Sequence, residues 1–386
     1  MTPEAVSARL QGLLAEPGAA AILAAFSAAG EETRIIGGAV RNVLLGADFA
    51  DLDLATTAVP RRATEIAEGQ GWKAVPTGIE HGTITIVISG KPYEVTTLRE
   101  DIATDGRRAK VRFGRDFRMD AARRDFTINA MAASADGRLH DFFDGLADLA
   151  MRRVRFIGDP EQRLREDYLR ALRFLRFSAR YAEGPLDAPG LSACSRHREG
   201  FARLSRERIR TELLKLIVAP RALPVMEEAD ALGLLTDLVG LKPDLPRFAA
   251  LIAREASPDA VTRLFALYGD QAKAAREALR LSNREAALME ALAGAVQMLE
   301  AGAAPRLVAY RFPEALSRLP ALWPAIADWP EPPVFHLKGE DLLKAGLPAG
   351  PRIGEALKAI EARWIAAGFP ASRDAQLALM QAERAG

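Results

Sequence analysis

The sequence predicts an α+β fold in which a sheet-bearing N-terminal unit, ending near residue 145, is followed by an all-helical remainder. Three observations carry that expectation. Short β-rich runs crowd the first part, at 33–36, 51–55, 83–89 and 92–98, with Gly-containing turns and two helical stretches between them. The run 81–98 reads as a hairpin, because Ser89-Gly90-Lys91-Pro92 is turn-forming and both flanks are β-branched. Adjacent antiparallel strands of this kind disfavour a Rossmann-type sheet. Beyond about residue 160, Ala, Leu, Arg and Glu recur at helical spacing, punctuated by Pro220, Pro243, Pro313 and Pro348.

A chain of 386 residues exceeds the usual single-core range, so two to four structural units are expected. Its 49% hydrophobic and 27% charged residues fit an ordinary globular protein rather than the disordered or membrane classes. The opening residues carry Glu4 and Arg9 in an amphipathic pattern, which predicts no secretory signal. No run approaches the roughly 18 to 20 apolar residues that span a bilayer. Cys194 is the single cysteine, so no internal disulfide can form, and a packed, unreactive thiol in a reducing compartment is expected. Together these features predict a cytoplasmic protein.

A net charge of +1 conceals an uneven distribution. Segment 99–124 carries 9 Lys/Arg against 5 Asp/Glu, segment 152–180 carries 9 against 4, and segment 196–210 carries 6 against 2. The rest of the chain is therefore net acidic. Such asymmetry suits a phosphate-binding strip on an acidic body, although solvated helix faces would give the same counts.

The first chemistry-bearing stretch is Ile36-Gly37-Gly38-Ala39-Val40-Arg41, followed by Leu44-Leu45-Gly46 and Asp51-Leu52-Asp53. Paired glycines remove Cβ atoms where a backbone must approach a triphosphate, the helix they open favours anions, and Arg41 adds a fixed positive charge. Asp51 and Asp53, two apart in a strand, share one face while Leu52 points to the core. Two carboxylates so placed can hold a pair of divalent ions about 3.5 to 4 Å apart, as phosphoryl transfer requires. Oxygen ligands favour Mg2+ or Mn2+ over zinc. Glu94 is the candidate third carboxylate.

A second stretch, Arg123-Arg124-Asp125-Phe126-Thr127-Ile128-Asn129-Ala130, packs polar groups beside apolar anchors. Asp125 and Asn129 are suited to ribose hydroxyls and Arg124 to phosphate. The third stretch, 163–177, reads as one helix with Leu164, Tyr168, Ala171, Leu172 and Leu175 as its apolar stripe. Arg163, Asp167, Arg170 and Arg173 then fall on the adjoining face. Asp167 and Arg170 become neighbours, either as an i,i+3 ion pair or as a reader of bases. Cytosine and adenine both present an exocyclic amine beside a ring-nitrogen acceptor, which Asp plus Arg complements; uracil and guanine present the reverse. A wrong base would leave buried polar groups unpaired. Arg173 and Arg176 remain for phosphates or for holding the readers, and Phe174 and Phe177 are expected in the core.

GGAVR, DLD, RRDFTINA and EDYLRALRFLRF, with LSRERIRTELLKLI at 204–217, together resemble the class II CCA-adding tRNA nucleotidyltransferase and bacterial poly(A) polymerase family, a branch of the polymerase-β-like nucleotidyltransferases. The resemblance implies a nucleotidyltransferase head at 1–145, a nucleotide-selecting neck at 146–217, and a tRNA-binding body and tail at 218–386. It implies CMP and AMP addition from CTP and ATP to the tRNA 3′ end, with two Mg2+ ions on Asp51 and Asp53. Gly37, Gly38, Arg41, Arg124, Asp125 and Asn129 would face the nucleotide's phosphates and sugar. Asp167 and Arg170 would face its base, with Arg173 and Arg176 alongside. Ser205, Glu207 and Arg208 would brace a neck helix, and a loop at about 100–116 would correspond to the family's mobile loop. Asn42 stands where the family commonly has Asp, which removes a salt bridge from that position. Poly(A) synthesis, or addition of CC alone or A alone, would use the same motifs. His140-Asp141 lacks the clustered histidines of a phosphohydrolase centre.

Overall fold

The computed structural model describes residues 2–49, 52–79, 82–105, 108–326 and 328–384, with the side chains of 3, 100–111 and 380–384 outside the description. Asp51 therefore lies outside the described residues, as does His81. Two compact units are present, Met1–Pro243 and Asp244–Gly386. The expected boundaries at 145 and 217 both fall inside the first.

Among its described residues the first unit contains nine strands: β1 (Thr33–Ile36), β2 (Asp53–Thr56), β3 (Lys73–Gly78), β4 (Thr83–Ile88), β5 (Lys91–Thr97), β6 (Arg99–Asp105), β7 (Arg108–Phe113), β8 (Ala132–Ser134) and β9 (Leu139–His140). Seven form one mixed sheet in the order β3-β4-β5-β2-β1-β8-β9, while β6 and β7 pair separately. Among the described residues the β2–β5 pairing is parallel, and the other pairs in the sheet are antiparallel. The β4–β5 hairpin turns at Ser89 and Gly90, with φ of 50° and 80°, between the paired residues Ile88 and Lys91. Two left-handed residues match the twist of a two-residue hairpin. The antiparallel hairpin expected from the sequence is thus present.

Helices α1 (Pro3–Leu14), α2 (Pro17–Ala28), α3 (Gly38–Leu44) and α4 (Pro60–Gly69) precede the hairpin. α5 (Phe117–Ala122) and α6 (Gly145–Ala150) lead into the helical part, which continues with α7 (Pro160–Glu166), α8 (Leu169–Tyr181), α9 (Ala188–Arg196) and α10 (Arg206–Ile217). Among the described residues no single helix is long and apolar enough to cross a membrane. Cys194 is 1% exposed, and burial pushes its thiol up to about 12, so it is un-ionised at neutral pH.

The expected continuous helix over 163–177 is broken. Asp167 takes an extended conformation (φ −157°, ψ 107°) between α7 and α8. Its Oδ1 accepts the Leu169 N–H at 3.1 Å, serving the new helix start, and its Oδ2 is drawn to Arg208. Helical periodicity could not reveal this, because the apolar stripe keeps its phase across the break: Leu164, Ala171, Leu172 and Leu175 are all buried. An aromatic cluster then ties the reading segment to the sheet. Phe126 lies 5.0 Å from Phe156 and 5.1 Å from Phe177, and Phe156 lies 5.3 Å from Phe174.

The second unit is helical among its described residues and includes the helix Pro351–Ala366. Trp364 on that helix is fully buried among Tyr310, Phe335 and Phe369, whose ring centroids lie 4.9 to 5.2 Å away.

Gly145 opens α6 where a Cβ would meet the Thr127 carbonyl oxygen at 2.4 Å. Thr127 cannot yield easily, since its Oγ1 donates to the fully buried Asp148 at 2.6 Å, which also binds Arg153 and Arg155. Gly145→Ala is expected to destabilise the first unit by about 1 to 3 kcal/mol, the usual range for overpacking. Urea denaturation of the two proteins measures it.

Candidate active site

β1 ends into a turn that only glycine makes cheaply. Gly37 has φ 67°, its N–H donates to the Met131 carbonyl at 3.1 Å, and a Cβ there would sit 3.1 Å from Arg124 Nη1. At Gly38 the nearest atom to a Cβ would be Arg41 Nη2 at 3.6 Å, an ordinary contact. No protein atom demands glycine at Gly38, so its bareness serves the cleft above it. α3 itself has seven residues, and the positive field here rests on arginine side chains more than on a helix end.

The cleft holds about 420 Å³. Gly37, Gly38 and Arg41, Asp53, Arg124, Asp125 and Asn129, and Asp167, Arg170, Arg173 and Phe177 all line it. Residues from three distant stretches of sequence therefore share one space. Asp53 is exposed at the head of β2, whereas Leu52 and Leu54 are buried on either side of it. Its parallel register partner on β5 is Glu94, also exposed. Paired residues in a sheet project to the same face, so the two carboxylates are neighbours.

Arg41 is buried and held from several directions. Its Nη1 donates to Asn129 Oδ1, its Nη2 to the Tyr181 hydroxyl at 2.7 Å and to Asn42 Oδ1 at 3.0 Å, and its guanidinium lies 4.1 Å over the Tyr181 ring. Burial lowers its pKa, opposed by Tyr181 and Asp125. Asn42, in place of the family's usual acid, supplies a neutral acceptor. Arg124 donates to Asp120 Oδ2 at 3.2 Å and to the Asn129 carbonyl at 3.4 Å.

Asp125 is at the centre of this arrangement. Its Oδ2 accepts from Arg173 Nε at 2.8 Å and again from Nη2; its Oδ1 accepts from the Phe126 N–H and from Asn129 Nδ2 at 3.0 Å. Burial pushes the carboxyl upward, but Arg173 and these hydrogen bonds outweigh it and hold the group below the usual carboxylate range.

The i,i+3 ion pair expected between Asp167 and Arg170 is not formed. Arg170 pairs instead with Glu166 and donates to the Arg163 and Arg123 carbonyls at 3.0 and 3.3 Å. Asp167 pairs with Arg208 on α10 at 2.6 Å. Both still line the cleft. Arg176 does not: it binds Glu212 at 2.6 Å and lies 4.3 Å over the Phe177 ring, lining a separate cavity. Ser205 caps α10 through the Arg208 N–H. Two residues escaped sequence reasoning, Tyr181 and Glu212. Glu212 carried a signal, standing three after Ile209 and four before Leu216 on the buried face of α10, where an acid needs a partner.

Asp53, exposed at the head of an interior strand with Glu94 as its register partner on β5, shares an arginine-lined cleft with the Gly37-Gly38 turn, an arrangement of the nucleotidyltransferase class. Residues 33–155 match the poly A polymerase head domain, and residues 190–246 match the probable RNA and SrmB-binding site of polymerase A. The mitochondrial CCA tRNA nucleotidyltransferase 1 of Mus musculus is 33% identical across 97% of this chain and 92% of its own. A CCA-adding enzyme of Levilactobacillus brevis is 32% identical across 92% and 95%. The crystal structure of the Bacillus stearothermophilus CCA-adding enzyme in complex with CTP superimposes with a TM-score of 0.76 at 26% identity, covering 100% of this chain and 99% of that one. The chain belongs to the CCA-adding tRNA nucleotidyltransferase family.

Because the folded-state pKa of Asp125 lies below its unfolded value, its contribution to stability is full above about pH 4 and is lost as pH falls through the folded pKa. Asp125→Asn is therefore expected to destabilise the protein near neutral pH, with the gap to the parent narrowing below pH 4. Denaturation midpoints between pH 3 and 7 check this.

Proposed function

We propose that this chain adds CMP and AMP from CTP and ATP to the 3′ end of tRNA without a template. The single observation that carries the proposal is the meeting of Asp53 with Asp167 and Arg170 across one polar cleft. Asp53, with Asp51 and Glu94 as its partners in sequence and register, would hold Mg2+; the exposed Asp53 and Glu94 carboxylates are the oxygen donors such an ion takes. The metal would supply a lowered pKa at the attacking hydroxyl and charge for the leaving pyrophosphate. Arg41 and Arg124 bind the triphosphate, and Gly37 and Gly38 let the backbone approach it. Asp125 and Asn129 orient the ribose and hold Arg173 and Arg41.

The base is read by what Asp167 and Arg170 have left. Each Asp167 oxygen has accepted one bond and keeps a lone pair for an exocyclic amine. Arg170 keeps Nη2 capacity for a ring nitrogen after its contacts with Glu166 and two carbonyls. Uracil and guanine would set acceptor against acceptor and donor against donor. The neck and the helices beyond it contact the RNA, and the expected location is the cytoplasm.

Incubation of the protein with tRNA lacking its terminal residues and with each nucleotide in turn tests the reading. Addition of two C and one A, then arrest, is expected; unlimited A tails on arbitrary RNA would replace it with poly(A) synthesis. In the same assay Asp53→Ala should lower incorporation by about 10³-fold, the scale of losing a group that stabilises developing charge, with RNA binding retained.

Asp167→Ala is expected to lower the kcat/KM preference for CTP over UTP by about 10- to 100-fold, as one or two mismatched buried hydrogen bonds would. Single-turnover incorporation of each nucleotide measures it, and an unchanged ratio would remove Asp167 from base selection.

A further inference from the structure

Next to the cleft a second cavity of about 220 Å³ opens where the last turns of α8 and α10 converge. Arg176, Arg180 and Lys215 line it together with Phe177 and Tyr181, and no carboxylate does. Glu212 neutralises Arg176 from the buried side. Arg180 and Lys215 are exposed, and neither makes an ion pair among the described residues. Their neighbours differ: Arg163, Arg165, Arg170 and Arg173 each pair with a carboxylate.

Basic residues in a last helical turn ordinarily complement the helix dipole, and that accounts for Arg180 and Lys215 singly. It does not account for two helices delivering them to one hollow with an aromatic wall. Cations beside aromatic rings form the standard equipment for single-stranded nucleic acid, where phosphates meet the charges and bases or riboses meet the rings.

We propose that this cavity holds one nucleotide unit of the RNA acceptor strand, its phosphates on Arg180 and Lys215 and its base or ribose against Tyr181. The inference rests on the tRNA reading above. Position favours RNA over a second free nucleotide. Phe177 lines both cavities, and the Tyr181 hydroxyl is bonded to Arg41 of the cleft, so this hollow shares a wall with the cleft that contains Asp53. Charge favours it too, since two unneutralised cations match singly charged phosphodiesters better than a triphosphate, which has Arg41 and Arg124 of its own.

The test is the affinity for tRNA lacking its terminal CCA, measured across a salt series for the parent, Arg180→Ala, Lys215→Ala and the double variant. The parent's affinity should fall steeply with salt. Each removed cation should weaken binding and make the slope of log K against log salt shallower by about 0.7, the value for a single-strand phosphate contact. Lys215→Arg should restore the slope, and CTP affinity measured without RNA should stay at the parent level. Parental affinity and slope in the double variant would overturn the proposal, as would a loss confined to CTP. A parent that binds no tRNA would instead overturn the tRNA reading itself.

Discussion

The Asp125 carboxylate, buried between Arg173 of α8 and Asn129 of the sheet unit, is the interaction on which the site's geometry depends. Through Asn129 it reaches Arg41; through Arg173 it reaches Glu212 on α10. A buried charge is tolerated only when partners satisfy it, and removing one partner of such a pair costs about 3 to 5 kcal/mol because the other is left unpaired. The network therefore has few alternative arrangements. Arg41 and helix α8, which carries Arg170 and Arg173, are held in register by the same set of bonds.

This economy explains where most of the excess positive charge in 152–180 goes. Arg153 and Arg155 converge on the buried Asp148, Arg163 and Arg170 on Glu166, Arg173 on Asp125, and Arg176 on Glu212. A segment that reads as a phosphate-binding strip is largely neutralised within the fold. Arg173 and Arg176 act as struts whose guanidinium groups lie 5.3 and 4.3 Å over the Phe177 ring while they bind the Asp125 and Glu212 carboxylates. Affinity for polyanions must then come from the minority left unpaired, so net charge counted along the chain overstates the binding surface.

The sheet unit was legible because its signals are local. β1 runs over the residues expected of it, the Ser89-Gly90 turn specifies the hairpin, and Gly37 needs a positive φ that no β-branched residue would accept. The short strands β8 and β9 carry no such pattern, with three and two residues respectively, and pairing against β1 and one another defines them. At the site, the residue types and their spacing pointed to Gly38, Arg41, Asp125 and Arg170, which the fold brings to one cleft. Arg176 was misplaced by the same logic: on a helical wheel it sits next to Arg173, and only the position of Glu212, distant in sequence, turns it away. Long-range charge pairing is invisible to periodicity.

On the proposed base-reading role of Asp167 and Arg170, the break between α7 and α8 gives the clearest link from backbone to selectivity. Had 163–177 been one helix, Asp167 and Arg170 would have been i,i+3 neighbours, free to pair with each other, and a self-satisfied pair offers a base little gain. An extended residue at Asp167 separates them. Arg170 is occupied by Glu166 and backbone carbonyls, Asp167 by Arg208, and each keeps unused capacity pointed at the same cleft. Partners that fix the two groups without exhausting them leave an acceptor and a donor pre-set before any base arrives. The energy of recognition is then not spent on prying a salt bridge apart, and the mismatch penalty for a wrong base falls on groups that cannot turn to each other for relief.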